Sequence, residues 1–406
     1  MSANSPREIG VGLISVGWMG KLHTRAFQSL PAVYPELGVK PRLVIAADTA
    51  EDRATYAKDV LGYEQFSLDY RDVLAHPDVD VVSICAPNFL HREMGIAAAE
   101  AGKAFWIEKP VGRGAQETTD VETAAVKAGV VTSIGFNYRH PPVIEHMREL
   151  IARGDIGRIT NVRGVFFADY SAEPNGALSW RFIRELAGSG VLGDLMGHLA
   201  DLIQYLVGPI SEVTGITKTV YTERPVLPMG TGTHFAVIEG GEQGPVENED
   251  YGGMLIRFGS DAVGADAVGT LEASRVTVGP RARYEVEIYG TEGSVRWDFE
   301  RLNELQIAKG RSGEHVGYQR VMANSHFGDF DHFQPGAGPT MGYDDLKTIE
   351  AKKFVESFLG LQHVNSNIHD AVSAARVVQA AEDSAASKTW IAIAQPTGTT
   401  HQRRKS

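Results

Sequence analysis

Ile9-Gly10-Val11-Gly12-Leu13-Ile14-Ser15-Val16-Gly17-Trp18-Met19-Gly20 is the stretch on which the fold of the first third of the chain turns. Residues 9–16 form a nearly unbroken apolar run, the pattern of a strand buried on both faces of a parallel sheet. A glycine-containing turn follows, and helical spacing then runs through residues 26–30. A strand–turn–helix of this form is where a dinucleotide fingerprint belongs. Gly17 lets the backbone approach a pyrophosphate, and Gly20 lets the helix pack closely on the sheet. Ser15 stands where the first glycine of that pattern is usual. A turn of this kind also serves as plain structure, and these residues alone leave both readings open.

Outward from the turn, apolar runs at 43–47, 79–85, 104–107 and 130–136 alternate with helical patterns at 53–61, 70–75, 88–100 and 117–128. Asn88 is expected to cap the third helix and Gly102 to end it. Such alternation implies right-handed βαβ units in a doubly wound sheet. After about Pro141 the rhythm changes. A helix at 143–152 leads into an extended run at 159–167, and a loose glycine-rich segment at 188–193 opens an apolar helix at 194–207. Strand-like runs at 213–220, 252–258, 263–275, 283–289, 294–297 and 304–309 predict an antiparallel meander. Helical patterns at 346–361 and 370–387 precede a basic tail, 401–406, expected to fray. The predicted class is α/β: a Rossmann-type doubly wound parallel sheet over residues 1–140, then an α+β domain over 141–406 with a large, open, mostly antiparallel sheet.

The composition narrows the function classes. A chain of 406 residues, 43% hydrophobic and 22% charged, has the material for two cored domains and excludes an extended disordered protein. A formal charge of −12 argues against nucleic-acid or anionic-membrane partners. Cys85 is the single cysteine, so no internal disulfide and no thiolate zinc site is expected, and it reads as core. The start lacks a signal-peptide h-region and no run nears ~20 apolar residues. The expectation is a cytoplasmic protein.

Four constellations carry chemistry. Asp48 closes the second strand; a carboxylate there accepts ribose hydroxyls and repels a 2′-phosphate, which favours NAD over NADP, or else it only caps residues 49–51. Ala86-Pro87-Asn88-Phe89-Leu90-His91 leaves the carboxyl end of a buried strand, where ligands bind in such sheets; alone, His91 reads as a solvent-facing first-turn residue. Glu108-Lys109-Pro110 ends another strand, and the chain must turn there, through a cis Lys109–Pro110 bond. Lys109 in that place could stabilise a developing alkoxide, or it is half of a surface pair worth under ~1 kcal/mol. Asp194, His198 and Asp201 follow i, i+4, i+7 along one helical stripe, opposite Leu195, Leu199, Leu202 and Leu206 as core. His198 suits proton removal from a hydroxyl, with a satisfied core histidine as the alternative. Asp194 reads equally as a helix N-cap. His326, Asp331 and His332 lack further ligand spacing, so no metal site is expected.

In combination, the sequence resembles the Gfo/Idh/MocA family, the glucose–fructose oxidoreductase and inositol dehydrogenase group. GLISVGWMG, the Asp48 strand end, APNFLH, AGKAFWIEKPVG, GFNYRHPPV and GSGVLGDLMGHLADL carry the resemblance, in that order, over most of the chain. It implies a Rossmann domain followed by a domain whose open sheet mediates dimers or tetramers, and a sheet with one bare face would need such a partner. It implies Lys109, Asp194 and His198 as the catalytic trio. Ser15, Gly17, Trp18, Met19 and Asp48 would meet the nucleotide. Ala86, Pro87, Asn88, His91, Glu108, Lys109 and Asn137 would lie toward the nicotinamide, with Trp180 and Arg181. Tyr138 and Arg139 would join the trio at the substrate. The implied reaction is NAD-dependent oxidation of a secondary hydroxyl on a sugar or cyclitol, with His198 as base, Lys109 on the alkoxide and Asp194 orienting. Two rivals stand beside it: a glycoside-cleaving or lyase-type enzyme that recycles bound NAD, and a non-catalytic NAD-binding protein.

Overall fold

Six apolar strands pair in parallel in the order β3-β2-β1-β4-β5-β6: β1 (Arg7–Ile14), β2 (Val39–Ala47), β3 (Gln65–Ser67), β4 (Val81–Ile84), β5 (Ala104–Ile107) and β6 (Thr132–Ile134). The computed structural model describes residues 6–227, 236–260, 262–312, 316–361 and 366–394; the basic tail expected to fray lies outside them. Every residue of β4 and β5 is buried, because helices cover both faces of the sheet. These are α1 (Trp18–Val33), α2 (Glu51–Asp59), α3 (Tyr70–Ala75), α4 (Asn88–Glu100) and α5 (Ala115–Ala128). The strand order reverses between β1 and β4, and at such a switch point a crevice opens outside the carboxyl ends of the strands. Asn88 proves to be the first residue inside α4, with Pro87 as its N-cap, so the expected capping by Asn88 is not what starts the helix. Proline suits that place because the cap position is extended and the lost N–H has no helical partner.

Helix α6 (Pro142–Ala152) leads into the second sheet. Its strands are β7 (Ile159–Ala168) and β8 (Ile210–Lys218), then, past a two-stranded ribbon of β9 (Glu223–Pro225) and β10 (Gln243–Pro245), β11 (Tyr251–Phe258), β12 (Val268–Ser274), β13 (Ala282–Gly290), β14 (Gly293–Asp298), β15 (Glu304–Lys309), β16 (Gln319–Met322) and β17 (Ile391–Ala392). Their order is β16-β15-β14-β13-β7-β12-β11-β8-β17. The meander holds from β13 to β16 and breaks at β7, which inserts between β13 and β12 and runs parallel to β12. Residues 263–267 form a turn rather than the start of a strand. The remaining helices are α7 (Arg184–Ala187), α8 (Gly197–Val207), α9 (Phe330–Phe333), α10 (Tyr343–Phe358) and α11 (Ile368–Ser387). Helix α8 lies close on the sheet because β7 offers Gly164, where a Cβ would come within 3.0 Å of Leu199.

One helix from beyond residue 140 returns to the first sheet. Ala351, Phe354 and Val355 of α10 join Leu13, Val16, Phe27 and Leu30 in the core beneath the parallel sheet. The spacing of α10 marks an apolar stripe, but periodicity does not say which sheet covers it. Among the described residues no helix is long and apolar enough to cross a membrane.

Candidate active site

The nucleotide end of the crevice is built by the turn after β1. Ser15 is held at φ +74°, in the left-handed region that favours glycine, and its N–H donates to the Ala47 carbonyl at 2.8 Å. A Cβ on Gly20 would lie 2.2 Å from the Ser15 carbonyl oxygen, so only glycine lets α1 start this close to the turn. A Cβ on Gly17 would meet nothing within 4 Å, so that backbone fronts open space at the N-terminus of α1. Asp48 accepts the Val16 N–H at 2.8 Å through one oxygen and the Ala50 N–H at 3.0 Å through the other. It therefore braces the turn and caps the next segment at once. Helix N-terminal N–H groups, an unobstructed glycine and a carboxylate at the strand tip fit a dinucleotide. Trp18 is 67% exposed, and its ring stacks on Tyr343 at 5.8 Å.

The middle of the crevice comes from the tips of β4 and β5. His91 is buried rather than solvent-facing, and its Nδ1 donates to the Pro110 carbonyl at 2.7 Å, tying α4 to the turn that carries Lys109. The Lys109–Pro110 bond is cis. Phe89 meets the edge of Trp180 at 5.9 Å, and Arg181 lies over the Trp180 ring at 4.4 Å, so the second domain reaches across the start of α4.

Asp194 does not cap a helix. Leu192–Met196 form one π-helical turn continuous with α8, and the Asp194 N–H already donates to Gly190 O at 3.1 Å. Single π turns inside α-helices recur at functional sites because they re-aim side chains. Here the turn presents Asp194 to Lys109: the ammonium donates to Asp194 Oδ1 at 2.8 Å and to the Asp194 carbonyl at 3.0 Å. Tyr170, just past β7, donates its hydroxyl to Asp194 Oδ2 at 2.6 Å. Burial alone would raise the Asp194 carboxyl, but the Lys109 charge and these hydrogen bonds hold it well below the usual carboxylate range. The Asp194 side chain is still 36% exposed and that of Lys109 16%, so both face the crevice.

His198 follows on the same helical stripe, with Leu195, Leu199, Leu202 and Leu206 buried on the other side. Its ring is edge-on to Tyr138 at 4.7 Å and to Phe136 at 6.1 Å. Burial first, then the Lys109 ammonium, push its pKa well below 6.5, which leaves the imidazole neutral. Asp201 and Arg139 have other work. The Arg139 guanidinium donates to Asp201 at 2.8 Å and lies 3.2 Å from Asp370, in a buried ion pair that ties residue 139 to α8 and α11. The expectation of Arg139 at the substrate is replaced by this pairing, because a guanidinium so enclosed needs its carboxylates.

Glu108 likewise turns into the fold. It accepts from Lys347 at 2.6 Å and pairs with His23 at 3.0 Å, while Lys347 also meets Glu350 at 2.9 Å. His23 is pushed down to about 4, chiefly by burial, and stacks on Trp106 at 3.4 Å. Sequence reasoning missed His23, Lys347, Glu350 and Tyr170. A signal existed for two of them: Lys347 and Glu350 fall on the stripe of Ala351 and Phe354, and charges on an apolar stripe announce a buried pair. Asn137 is buried, with its side chain against Tyr343 of α10. Of His326, Asp331 and His332, His332 packs on Tyr34 and lies 3.8 Å from Glu36. Among the described residues no cluster of three or more His, Cys, Asp or Glu is placed to hold a metal.

Residues 9–136 match the family model described as an oxidoreductase family with NAD-binding Rossmann fold, and residues 144–296 match the GFO/IDH/MocA C-terminal domain. Levoglucosan dehydrogenase of Pseudarthrobacter phenanthrenivorans is 35% identical over 392 residues, 96% of this chain and 99% of that protein. A solved levoglucosan dehydrogenase in complex with NADH and levoglucosan has a TM-score of 0.88 at 34% identity, covering 96% of this chain and 100% of that one. The scyllo-inositol 2-dehydrogenase (NAD(+)) of Bacillus subtilis is 27% identical over 290 residues, 71% of this chain and 73% of that protein.

Proposed function

The chain belongs to the Gfo/Idh/MocA family of NAD-dependent oxidoreductases, and from that premise we propose that it oxidises one secondary hydroxyl of a sugar or cyclitol, with a levoglucosan-like pyranose as the first candidate. The observation that carries the reading is the pairing of Lys109, from the parallel sheet, with Asp194, from the second domain, next to His198. Ser15, Gly17, Trp18, Met19 and Asp48 would hold the adenosine and pyrophosphate. Ala86, Pro87, Asn88, His91 and Asn137 would line the nicotinamide side, with Trp180 and Arg181 closing it from the second domain. Bound NAD supplies the hydride acceptor.

The rest is work for this chain's side chains. His198, neutral because burial and Lys109 depress its pKa, takes the hydroxyl proton. An ammonium has three donors, and Asp194 occupies two of those on Lys109. The third is left for the substrate oxygen, where it stabilises negative charge as the proton departs. Asp194 orients Lys109. On the face of the second sheet away from α11, Ile216, Leu255 and Val268 are exposed, and we assign that face to a homodimer or homotetramer.

The test follows NADH at 340 nm with levoglucosan, myo- and scyllo-inositol and aldoses. NADH should form with at least one of them. His198→Ala should lower turnover by about 10²–10⁴, while the NADH dissociation constant stays within about threefold. Wild-type turnover in that variant would remove His198 from the base role. Release of an aglycone without net NADH would favour the glycoside-cleaving rival, and NADH binding with neither outcome a non-catalytic protein.

A further inference from the structure

Asp194 is gripped from two sides, and only one grip belongs to the proposed trio. Lys109 holds Oδ1 and the backbone carbonyl, and the Tyr170 hydroxyl holds Oδ2 at 2.6 Å. Tyr170 lies in the segment between β7 and residue 180. Its neighbour Ser171 is fixed by two buried arginines: its N–H donates to the Arg275 carbonyl at 3.0 Å, and its carbonyl accepts from Arg224 at 2.6 Å. Arg275 is itself anchored on Asp250 at 2.8 Å, and both guanidinium groups lie over Phe182 at about the same height, 4.5 and 4.6 Å. The phenol therefore approaches Asp194 from a rigid platform. Burial, then the Asp194 charge, keep the phenol protonated far above neutrality, so it remains a donor wherever the enzyme works.

From this geometry we infer that Tyr170 is a positioning residue of the reaction: it pins the free oxygen of Asp194 so that the carboxylate cannot rotate, which keeps two Lys109 donors engaged and aims the third at the substrate oxygen. A carboxylate held at one oxygen swings about its χ2 torsion, and Lys109 would follow it. The inference rests on the proposed role of Lys109 and Asp194 and adds to it a residue that touches no reacting atom.

The experiment is a double-mutant cycle of Tyr170→Phe and Asp194→Asn, read as single-turnover NADH formation with enzyme in excess. Tyr170→Phe should slow turnover about tenfold in the wild-type background, leave the NADH dissociation constant within twofold, and change the rate by less than twofold once Asp194 is Asn. An equal loss in both backgrounds would mean that the phenol acts on the fold and not through Asp194. No loss in the wild-type background would equally overturn the inference. Incorporation of 3-fluorotyrosine at 170 keeps the ring and a stronger donor, and should retain turnover within twofold; a tenfold loss there counts against the positioning role. Wild-type turnover in Asp194→Asn by itself would instead bring down the parent reading, which keeps the two failures distinct.

Discussion

Lys347→Met probes the least expected part of the molecule. The ammonium sits 2.6 Å from Glu108 and 2.9 Å from Glu350, and all three side chains are buried. Methionine preserves the volume and removes the cation that bonds both carboxylates, leaving Glu108 the neutral His23 among the described residues. Breaking a buried pair by deleting one partner costs about 3–5 kcal/mol, a large part of a stability of about 5–15 kcal/mol. The loss should depend on pH. Burial already raises the Glu350 carboxyl to about 7 against the pull of Lys347. A carboxyl raised in the fold is harmless below its unfolded pKa near 4.5, and its penalty grows as the pH climbs through the folded value. Without Lys347 that folded value rises further, so the penalty keeps growing above pH 7 at up to about 1.4 kcal/mol per pH unit. Urea melts followed by tryptophan fluorescence at pH 5.5 and pH 8 should show a clearly larger loss at pH 8. Glu350→Gln should cost clearly less than Lys347→Met, since burial has already raised that carboxyl and Lys347 keeps Glu108 as its partner. A Lys347→Met loss below about 1 kcal/mol at pH 8, or one equal at both pH values, would refute this account of the cluster.

Ser15→Gly relieves a left-handed backbone worth about 1–2 kcal/mol and gives back about 0.5–1 kcal/mol to the freer unfolded chain; thermal melts should show a small net gain, and a clear loss would mean the serine side chain supports the turn. Arg139→Met strands the buried Asp201, while Asp370 keeps the Asn367 N–H, and should cost about 3–5 kcal/mol in urea, with the sugar KM of the folded enzyme unchanged within twofold; a raised KM without lost stability would return Arg139 to the substrate.

The local pattern made much of the fold legible. An apolar run, a glycine turn and helical spacing announced β1 and α1, and β4 and β5 were visible as unbroken apolar stretches. The close approach at Gly20 and the capping of residue 50 by Asp48 were readable because both act within a turn or two of their own sequence, whereas the reach of Asp48 across 32 residues to Val16 was not. The stripe of Asp194, His198 and Asp201 was readable for the same reason, but not the division of labour along it. A π turn differs from an α turn by one residue of hydrogen bonding, too little for composition to mark, yet it removes Asp194 from the cap position.

What side-chain types and their spacing determined without help was the class of each element and which face of it is apolar, since both depend on neighbours at i+2, i+3 and i+4. Which element covers which face was decided only by the folded chain. Lys109 finds Asp194 across 85 residues and Lys347 finds Glu108 across 239. Those partners are chosen by where helices dock and by the need of each buried charge for an opposite one, a condition that many distant residues satisfy equally until the packing brings one of them within reach.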